Sequence, residues 1–272
     1  MLSDGACAVS LPGGVFSEEG RLLRKVELRP VTGGEEEWLA RSASAPAAHV
    51  VSRLLSACLV RVGDGAAKAD LAGSLLVGDR DYLMLQLRRM TLGNRLRAVV
   101  VCPACAVRMD VEFDVDEVPV ERPAEIAAAY EVRSGGRRVR FRLPIGADQE
   151  AVAAMPLDAA VDALLARCTL DDGGGALSAE EREAVVTAME QAAPRVELDL
   201  DLTCPECSYQ FAMPFDTSSF FLDEMRIRGD LLLREIHAIA FYYHWTEGEI
   251  LRLPRDRRRA YLSLLSDAVR SE

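Results

Sequence analysis

Two distant stretches of this chain share one alternating pattern of apolar and polar residues. CPACAVRMDVEFDV begins at residue 102 and CPECSYQFAMPFDT at residue 204, and in each a CPxC element precedes Phe-Asp by seven residues. Apolar residues recur at every second position of both copies, which is the period of a half-buried β-strand. The strand-like runs AVVV (98–101) and VELDLDL (196–202) stand just before them. Each copy is therefore predicted to form a strand, a tight turn and a second strand. The matched apolar positions are Val107 with Tyr209, Met109 with Phe211, Val111 with Met213, and Phe113 with Phe215.

Helical patterns flank these copies. GDRDYLMLQLRRMTLG (78–93) places Leu83, Leu87 and Met90 on one face and ends at Gly93, which predicts a helix leading directly into the first CPxC pair. VELRPV (26–31) predicts a strand. Capping-box patterns predict two further helix starts, at Ser178 with Glu181 and at Thr246 with Glu249.

The segment between the two copies predicts a subdomain of its own. Residues 106–203 separate Cys105 from Cys204, which is too long for a loop. AYEVRSGGRRVRFRLP predicts a hairpin that turns at Ser134-Gly135-Gly136, and helices follow it. DDGGG at 171–175 is interpreted as a flexible connector. In the second hairpin strand, one face carries Val139, Phe141 and Leu143 and the other carries Arg138, Arg140 and Arg142.

These elements predict an α+β fold. The chain is expected to be mainly helical, with a zinc ribbon of two CPxC knuckles split by an inserted hairpin-plus-helices subdomain. The predicted organisation is a disordered or loosely ordered N-terminus (1–23), an N-terminal strand and helices (24–96), a split ribbon (97–115 and 196–216), an inserted α/β subdomain (116–195) and C-terminal helices (217–272).

Composition narrows the class of protein. The chain has 272 residues, of which 50% are hydrophobic and 28% charged, as in a globular protein with a substantial core. Its net charge of −11 argues against a general binder of nucleic acid or of anionic membranes. The sequence contains no apolar run of membrane-spanning length, and its first residues do not resemble a secretory signal. The predicted location is therefore the cytoplasm, with incorporation into a larger particle left open.

Four of the seven cysteines form the two CPxC pairs. A CxxC turn directs two sulfurs at one ion, and four sulfurs together favour a tetrahedral Zn²⁺ site, with iron as the main competitor. Because four protein ligands leave no open position, the ion is predicted to be structural, one per chain. Ala106 and Ser208 stand where glycine often follows such a pair, which predicts some strain. Cys58 and Cys168 are interpreted as inert core residues. The predicted ligands are Cys102, Cys105, Cys204 and Cys207.

Other features carry weaker functional interpretations. His237 and His244 are interpreted as packed or interface residues rather than metal ligands. The arginines at 252, 255, 257, 258 and 259 are interpreted as a solvated helix face. The aromatic cluster of Phe241, Tyr242, Tyr243 and Trp245 is expected to be mostly core, with part of it available for docking. The sequence contains none of the common hydrolase, metalloprotease, P-loop or dinucleotide-binding motifs, so no catalytic residues are predicted.

The order of several segments resembles a known protein family. VELRPVTGGEEEWL is followed by VGDRDYLMLQLRRMTLGNRL, then by CPAC, VRFRLP, LARC and CPEC, and finally by LLREIHAIAFYYHWTEGEILRLPRDRRRAYLSLL. This order, over most of residues 24–266, is similar to baseplate proteins of contractile phage tails and related extracellular injection systems, in particular the T-even baseplate hub assembly chaperone family. The resemblance implies a non-enzymatic role in building the baseplate hub, with other tail proteins as partners. It also implies that the paired CPxC positions match those of the family, with the missing glycines as a departure.

Two other functions stay open from the sequence. A zinc ribbon that binds nucleic acid would need exposed basic and aromatic residues on its strands, where the sequence offers Arg108 among mostly acidic and apolar positions. A thiol redox enzyme would carry its CxxC pair at the start of a helix, because the helix N-terminus lowers the thiol pKa. Predicted strands follow both pairs here, which argues against redox chemistry.

Overall fold

The computed structural model of this chain describes residues 5–42, 44–170 and 177–270. Helices and antiparallel strands both occur throughout, which confirms the mixed character predicted from the sequence. The strands are β1 (Cys7–Phe16), β2 (Leu22–Leu28), β3 (Leu59–Val62), β4 (Gly65–Ala66), β5 (Arg95–Val101), β6 (Arg108–Asp114), β7 (Val120–Glu121), β8 (Tyr130–Ser134), β9 (Arg137–Phe141), β10 (Arg195–Val196), β11 (Asp199–Thr203) and β12 (Gln210–Pro214). The α-helices are α1 (Gly33–Arg41), α2 (Ala47–Cys58), α3 (Leu71–Ser74), α4 (Val77–Leu92), α5 (Gly146–Val152), α6 (Leu157–Cys168), α7 (Ala179–Ala192), α8 (Thr217–Ile227), α9 (Gly229–Tyr243), α10 (Glu247–Leu251) and α11 (Arg255–Arg270).

The main core lies between a four-stranded sheet and three helices. Strands β1 to β4 pair in sequential order, and α2, α4 and α8 pack with this sheet. Removing this much apolar surface from water is the main force that holds such a unit together. The fully buried side chains include Leu11, Leu28, Leu54, Leu55, Leu83, Leu87 and Phe221.

The prediction of a disordered or loosely ordered N-terminus over residues 1–23 is wrong for its described part, residues 5–23. Residues 7–16 form β1, which pairs with β2 and buries Leu11 completely. The sequence of this segment shows little of the alternation of apolar and polar residues that is typical of a strand, and Pro12-Gly13-Gly14 interrupts it. Contacts from distant residues supply the missing order. The carboxylate of Asp79 accepts hydrogen bonds from the backbone N–H groups of Gly13 and Gly14, both at 2.7 Å.

The GDRD sequence at the start of α4 joins several elements of the fold. The buried Arg80 guanidinium donates to the carbonyl oxygens of Ala72 and Ala48 and to Ser52 Oγ, so it ties α4 to α2 and α3. Asp81 accepts a hydrogen bond from Ser218 Oγ on α8 at 3.0 Å. Gly78 lies against the backbone of Pro194, where an added Cβ atom would fall 1.8 Å from the carbonyl oxygen. The motif is thus a structural junction, where β1, α2, α8 and the chain leaving α7 meet.

The β8–β9 hairpin, α6 and α7 share a small core of their own. Strands β7 and β10 pair at the two ends of the inserted segment, residues 116–195, and β8 and β9 form the predicted hairpin with Gly135 and Gly136 both at positive φ in the turn. The buried core of this group contains Val139, Phe141, Leu165 and Val185. Val139, Phe141 and Leu143 are buried and Arg138 and Arg140 exposed, as the alternation predicts. The DDGGG connector at 171–175 lies outside the described residues.

The C-terminal helices build a further core and attach it to α1. Leu232, Ile236, Ile239 and Ile250 form this core, against which Tyr243 and Trp245 pack. Both capping boxes predicted from the sequence are present: Glu181 N–H donates to Ser178 Oγ and Glu249 N–H to Thr246 Oγ. Among the described residues, no helix combines the length and the apolar character needed to cross a bilayer.

Candidate metal centre

Each CPxC pair forms the turn of a two-stranded antiparallel hairpin. β5 and β6 flank the first pair, and β11 and β12 flank the second. In the first turn, Cys102 N–H donates to the Val107 carbonyl and Ala106 N–H donates to the Cys102 carbonyl, both at 2.9 Å. The second turn repeats these bonds at the same length, from Cys204 to Tyr209 and from Ser208 to Cys204. The sequence repeat is therefore a repeat in backbone geometry.

The two turns bring four sulfur atoms together. Cys102 Sγ lies 3.8 Å from Cys207 Sγ, and Cys105 Sγ lies 3.6 Å from Cys204 Sγ. All four sulfur atoms fall within 4.8 Å of one another. With Zn–S bonds of about 2.3 Å, a tetrahedral site needs sulfur atoms about 3.8 Å apart. The donor set and its spacing therefore fit a four-thiolate metal ion such as Zn²⁺.

The two hairpins are related as if by a local two-fold axis. Exchanging the copies turns the Cys102–Cys207 contact into the Cys204–Cys105 contact, and both are present. The matched residues Phe113 and Phe215 also meet, with ring centroids 5.2 Å apart in an edge-to-face arrangement. In each pair the first cysteine is buried and the second exposed. The buried apolar face behind the sulfurs contains Val100 and Met109, with Val107, Val111, Leu202, Phe211 and Met213 partly buried around them.

The residue after each pair adopts a left-handed backbone conformation. Ala106 and Ser208 both have φ of 59°, and His244 is the one other non-glycine residue with positive φ in the described ranges. The sequence-based expectation of strain at these two positions is confirmed. A side chain with a Cβ atom is disfavoured in this conformation by roughly 1–2 kcal/mol. The knuckles hold this geometry because the N–H of each such residue closes the turn onto the first cysteine.

The thiols of the cluster influence one another's ionisation. Burial opposes ionisation of Cys102, but the backbone N–H groups of Cys105 and Ala104 prevail and lower the pKa of its thiol to about 7. At Cys105 the N–H of Val107 favours the thiolate, yet burial and the three other thiols raise the pKa to about 12. Ionisation of Cys102 is thus favoured, and ionisation of Cys105 beside the other thiols is opposed. A bound divalent cation relieves such repulsion, which is why metal binding releases protons from thiols.

The other cysteines and the histidines lie apart from this cluster. Cys58 and Cys168 are fully buried, and burial raises the pKa of the first to about 12 and of the second to about 11, which confirms them as core residues. His237 contacts the Phe241 ring, and His244 ends α9. Within the part of the chain that the structure describes, the four cysteines form the one group of three or more metal-binding side chains.

Two interpretations of the C-terminal region need revision. Arg258 is not solvated, because it is fully buried and pairs with Glu36 at 2.7 Å and with Glu235 at 2.9 Å. Arg255 is also buried, with 5% of its surface exposed. No sequence pattern distinguishes these two arginines from their solvated neighbours, since the helix carrying them is rich in charge. The aromatic cluster divides: Tyr243 and Trp245 pack against Tyr261, whereas Phe241 is 65% and Tyr242 53% exposed.

Comparison with known proteins identifies the family. The family described as T4 bacteriophage base plate protein matches residues 15–169, which include strands β2 to β4 of the main sheet, the GDRD sequence at the start of α4 and the first CPxC hairpin. No curated protein and no solved structure matches the chain. Since the family match spans more than half of the 272 residues, this chain belongs to the T4 bacteriophage base plate protein family.

Proposed function

We propose that this chain is a non-enzymatic structural or assembly protein, of the hub-chaperone kind, for the baseplate of a contractile tail or tail-like injection system. A Zn²⁺ ion bound by Cys102, Cys105, Cys204 and Cys207 braces its fold. Family membership supports the baseplate role. The convergence of four sulfur atoms from turns about a hundred residues apart in sequence supports the brace. When bound, the ion supplies a cross-link and no reaction chemistry.

The brace gains its effect from where the ribbon is attached. β5 begins three residues after α4 ends, and α8 begins three residues after β12 ends. These two helices pack together in the main core, and Arg88 of α4 pairs with Glu224 of α8 at 3.0 Å. Arg88 also donates to the carbonyl oxygens of Gly93 and Arg95, at the entrance to the ribbon. Closing the ribbon over one ion would therefore fix both ends of the inserted residues 116–195 to one rigid base.

The nucleic-acid alternative finds little support on the ribbon surface. Arg95 and Arg97 of the first hairpin both pair with Glu112. The second hairpin and its flanks, residues 197–216, contain no lysine or arginine. Phosphate recognition depends on clustered, unpaired basic side chains. A thiol redox role is also disfavoured, because a strand rather than a helix follows each CPxC pair.

The partners in this proposal are other baseplate or hub proteins. Phe241 and Tyr242 present exposed aromatic surface on α9, and Leu233 is exposed about two turns earlier on the same helix. Exposed aromatic side chains are enriched where proteins dock on one another. The arginine face of the β8–β9 hairpin is the second candidate surface. The proposed site of action is the bacterial cytoplasm, where tails are built, with or without retention in the finished particle.

Metal analysis and co-purification test the proposal. Elemental analysis of the purified protein is expected to give one zinc per chain, and thiol titration four protected cysteines. Co-expression with the sheath, tube and baseplate proteins of the same tail should recover a complex with the parent chain and much less with Cys204→Ser. Cys7→Ser, which removes an exposed cysteine outside the ribbon, serves as the matched control. Equal recovery with Cys204→Ser and the parent would contradict the brace, and iron or no metal would contradict the zinc assignment.

A further inference from the structure

Arg255 is a mostly buried cation that no acidic side chain of the described residues contacts directly. Its side chain begins α11 and keeps 5% of its surface exposed, yet it forms no hydrogen bond or ion pair with the residues that the structure describes. The nearest acids, Glu36 and Glu235, are both bound by Arg258 one turn further along the helix. No guanidinium nitrogen of Arg255 is both sealed from water and unbonded, so the charged end of this side chain stays accessible to an anion from outside.

Two more arginines, which form no ion pair with the described residues, lie near Arg255. Arg259 lies one turn from Arg255 on α11, and Arg228 precedes α9, which packs on α11. Burial is the main cause that lowers the pKa of Arg255, and the charges of Arg228 and Arg259 lower it further, against the opposite effect of Glu36 and Glu235. The chain has 43 acidic residues and 32 lysines and arginines, so a shortage of carboxylates does not explain why these arginines form no ion pair. We call Arg228, Arg255 and Arg259 the arginine patch.

The opposite end of α8 carries excess negative charge. A cleft of about 570 Å³ there is lined by four acidic side chains and by Arg80, whose guanidinium is already bound to Ala72, Ala48 and Ser52. Asp199, Asp201 and Glu206 continue this charge along the exposed side of the second hairpin, which lacks cations. The four acidic residues of the cleft are Asp81, Glu197, Asp199 and Asp216. We call the cleft and this hairpin face the acidic end.

The arginine patch and the acidic end lie too far apart in one molecule to form ion pairs with each other. Asp216 precedes α8 and Arg228 follows it, so the 11-residue helix separates the surfaces by about 16 Å. Contact between two identical ends would bring like charges together, whereas a head-to-tail contact pairs opposite charges. Apolar side chains accompany both surfaces, with Ile227 82% exposed beside the patch and Tyr209 48% exposed on the hairpin.

We propose that the arginine patch of one molecule binds the acidic end of a second copy of this chain. The contact is heterologous, so repeated copies form a ring where the rotation closes and an open array where it does not. A carboxylate of the second copy supplies the direct ion pair that Arg255 does not form within its own chain. This inference rests on the charges of this chain and goes beyond the proposed function. Because the acidic end includes the second ribbon hairpin, the contact is tested on the metal-loaded protein.

Sedimentation velocity over a range of protein concentrations tests the contact. The metal-loaded protein is expected to self-associate at low ionic strength and to dissociate as salt is raised, because salt screens exposed charges. Arg259→Glu is the first variant, since Arg259 is exposed and its replacement leaves the buried Arg255 in place. Asp199→Arg changes the other surface. Each single variant is expected to weaken self-association at least tenfold, whereas Arg21→Glu on the β1–β2 turn leaves it unchanged.

Mixing the two variants supplies the decisive control. The Asp199→Arg chain keeps the patch and the Arg259→Glu chain keeps the acidic end, so the mixture should form one-to-one heterodimers. A monomeric parent at all concentrations would overturn the proposal. Loss of association in Arg259→Glu but not in Asp199→Arg would overturn it as well, because the patch would then bind another anionic group. Matching circular dichroism spectra and melting temperatures show that the variants are folded.

Discussion

At the scale of single residues, the knuckles are built on two residues in an unfavourable conformation. Ala106 and Ser208 take the same positive φ because each must turn the chain back from the second cysteine to the following strand. Glycine adopts this conformation without the Cβ clash. Ala106 and Ser208 therefore each add conformational strain to the site, and a single substitution by glycine can relieve it at one position.

Ser208→Gly is expected to stabilise the metal-loaded protein. Relief of the left-handed strain, reduced by the greater freedom of glycine in the unfolded chain, leaves a gain of about 0.5–1 kcal/mol. The measurement is chemical unfolding at constant metal concentration. Ala104→Gly is the control, because Ala104 lies in the first turn and is not among the residues with positive φ. It should be neutral or destabilising, and a loss of stability in Ser208→Gly would contradict the strain argument.

Gly78→Ala should destabilise the fold by about 3 kcal/mol or more. The added Cβ atom would lie 1.8 Å from the Pro194 carbonyl oxygen, so the backbone leaving α7 must move. The measurement is again chemical unfolding, compared with Gly248→Ala. At Gly248, in α10, an added Cβ meets nothing within 4 Å, and alanine favours the helix. Similar stability of the two variants would show that the junction is not tightly packed.

At the scale of elements, charged side chains rather than apolar contacts alone join the helices. Arg258 of α11 binds Glu36 of α1 and Glu235 of α9, so one guanidinium joins three helices. Arg88 joins α4 to α8 and to the start of the ribbon in the same way. Such buried groups add little net stability over an apolar core but are costly to break, because the remaining partner stays charged and buried.

Arg258→Met is expected to destabilise the protein by about 3–5 kcal/mol, since it leaves two carboxylates without their cation. The effect should shrink at acidic pH. Burial, which outweighs the attraction of Arg258, raises the pKa of Glu36 above its ordinary value, so this carboxylate accepts a proton as the pH falls. Thermal unfolding between pH 5 and 8 measures both effects. Arg257→Met, an exposed change on the same helix, is the control and should alter stability by less than about 0.5 kcal/mol.

At the scale of the whole molecule, the main core and the ribbon are stabilised in different ways. The main core depends on apolar burial around β1–β4, α2, α4 and α8. The two hairpins share only a small buried group, which includes two of the cysteines themselves. Two-stranded hairpins of this size are marginally stable alone. The proposed ion would thus govern the order of the ribbon and of the inserted residues more than that of the main core.

Removal of the metal by a chelator is therefore expected to act locally. Amide hydrogen exchange should become faster in β5, β6, β11 and β12, while α4 and the strands of the main sheet keep their protection. Far-ultraviolet circular dichroism should retain most of its helical signal. Cys102→Ser should reproduce the exchange pattern without chelator, with Cys7→Ser as control. Global loss of protection on chelation, or no change in the hairpins, would contradict this division.

The sequence by itself determined the local features. The CPxC turns, the strands beside them, the Gly135-Gly136 hairpin and both capping boxes depend on residues within a few positions of one another, and each is present. The repeat between the two copies even identified the four cysteines that the fold brings together. A pattern of this kind is informative because each side chain acts on its own turn or strand.

Tertiary structure alone decided which charges are buried and what orders the N-terminus. Arg258 and Glu36 are 222 positions apart, and no periodicity distinguishes them from solvated neighbours. β1 is held by β2 and by the carboxylate of Asp79, so its order has no local cause. The arginine patch and the acidic end are recognisable as two surfaces only in the folded chain, where they lie at opposite ends of α8. In each case the contacts that determine the conformation or burial of a residue come from residues far away in sequence. A local sequence pattern therefore carries no information about them.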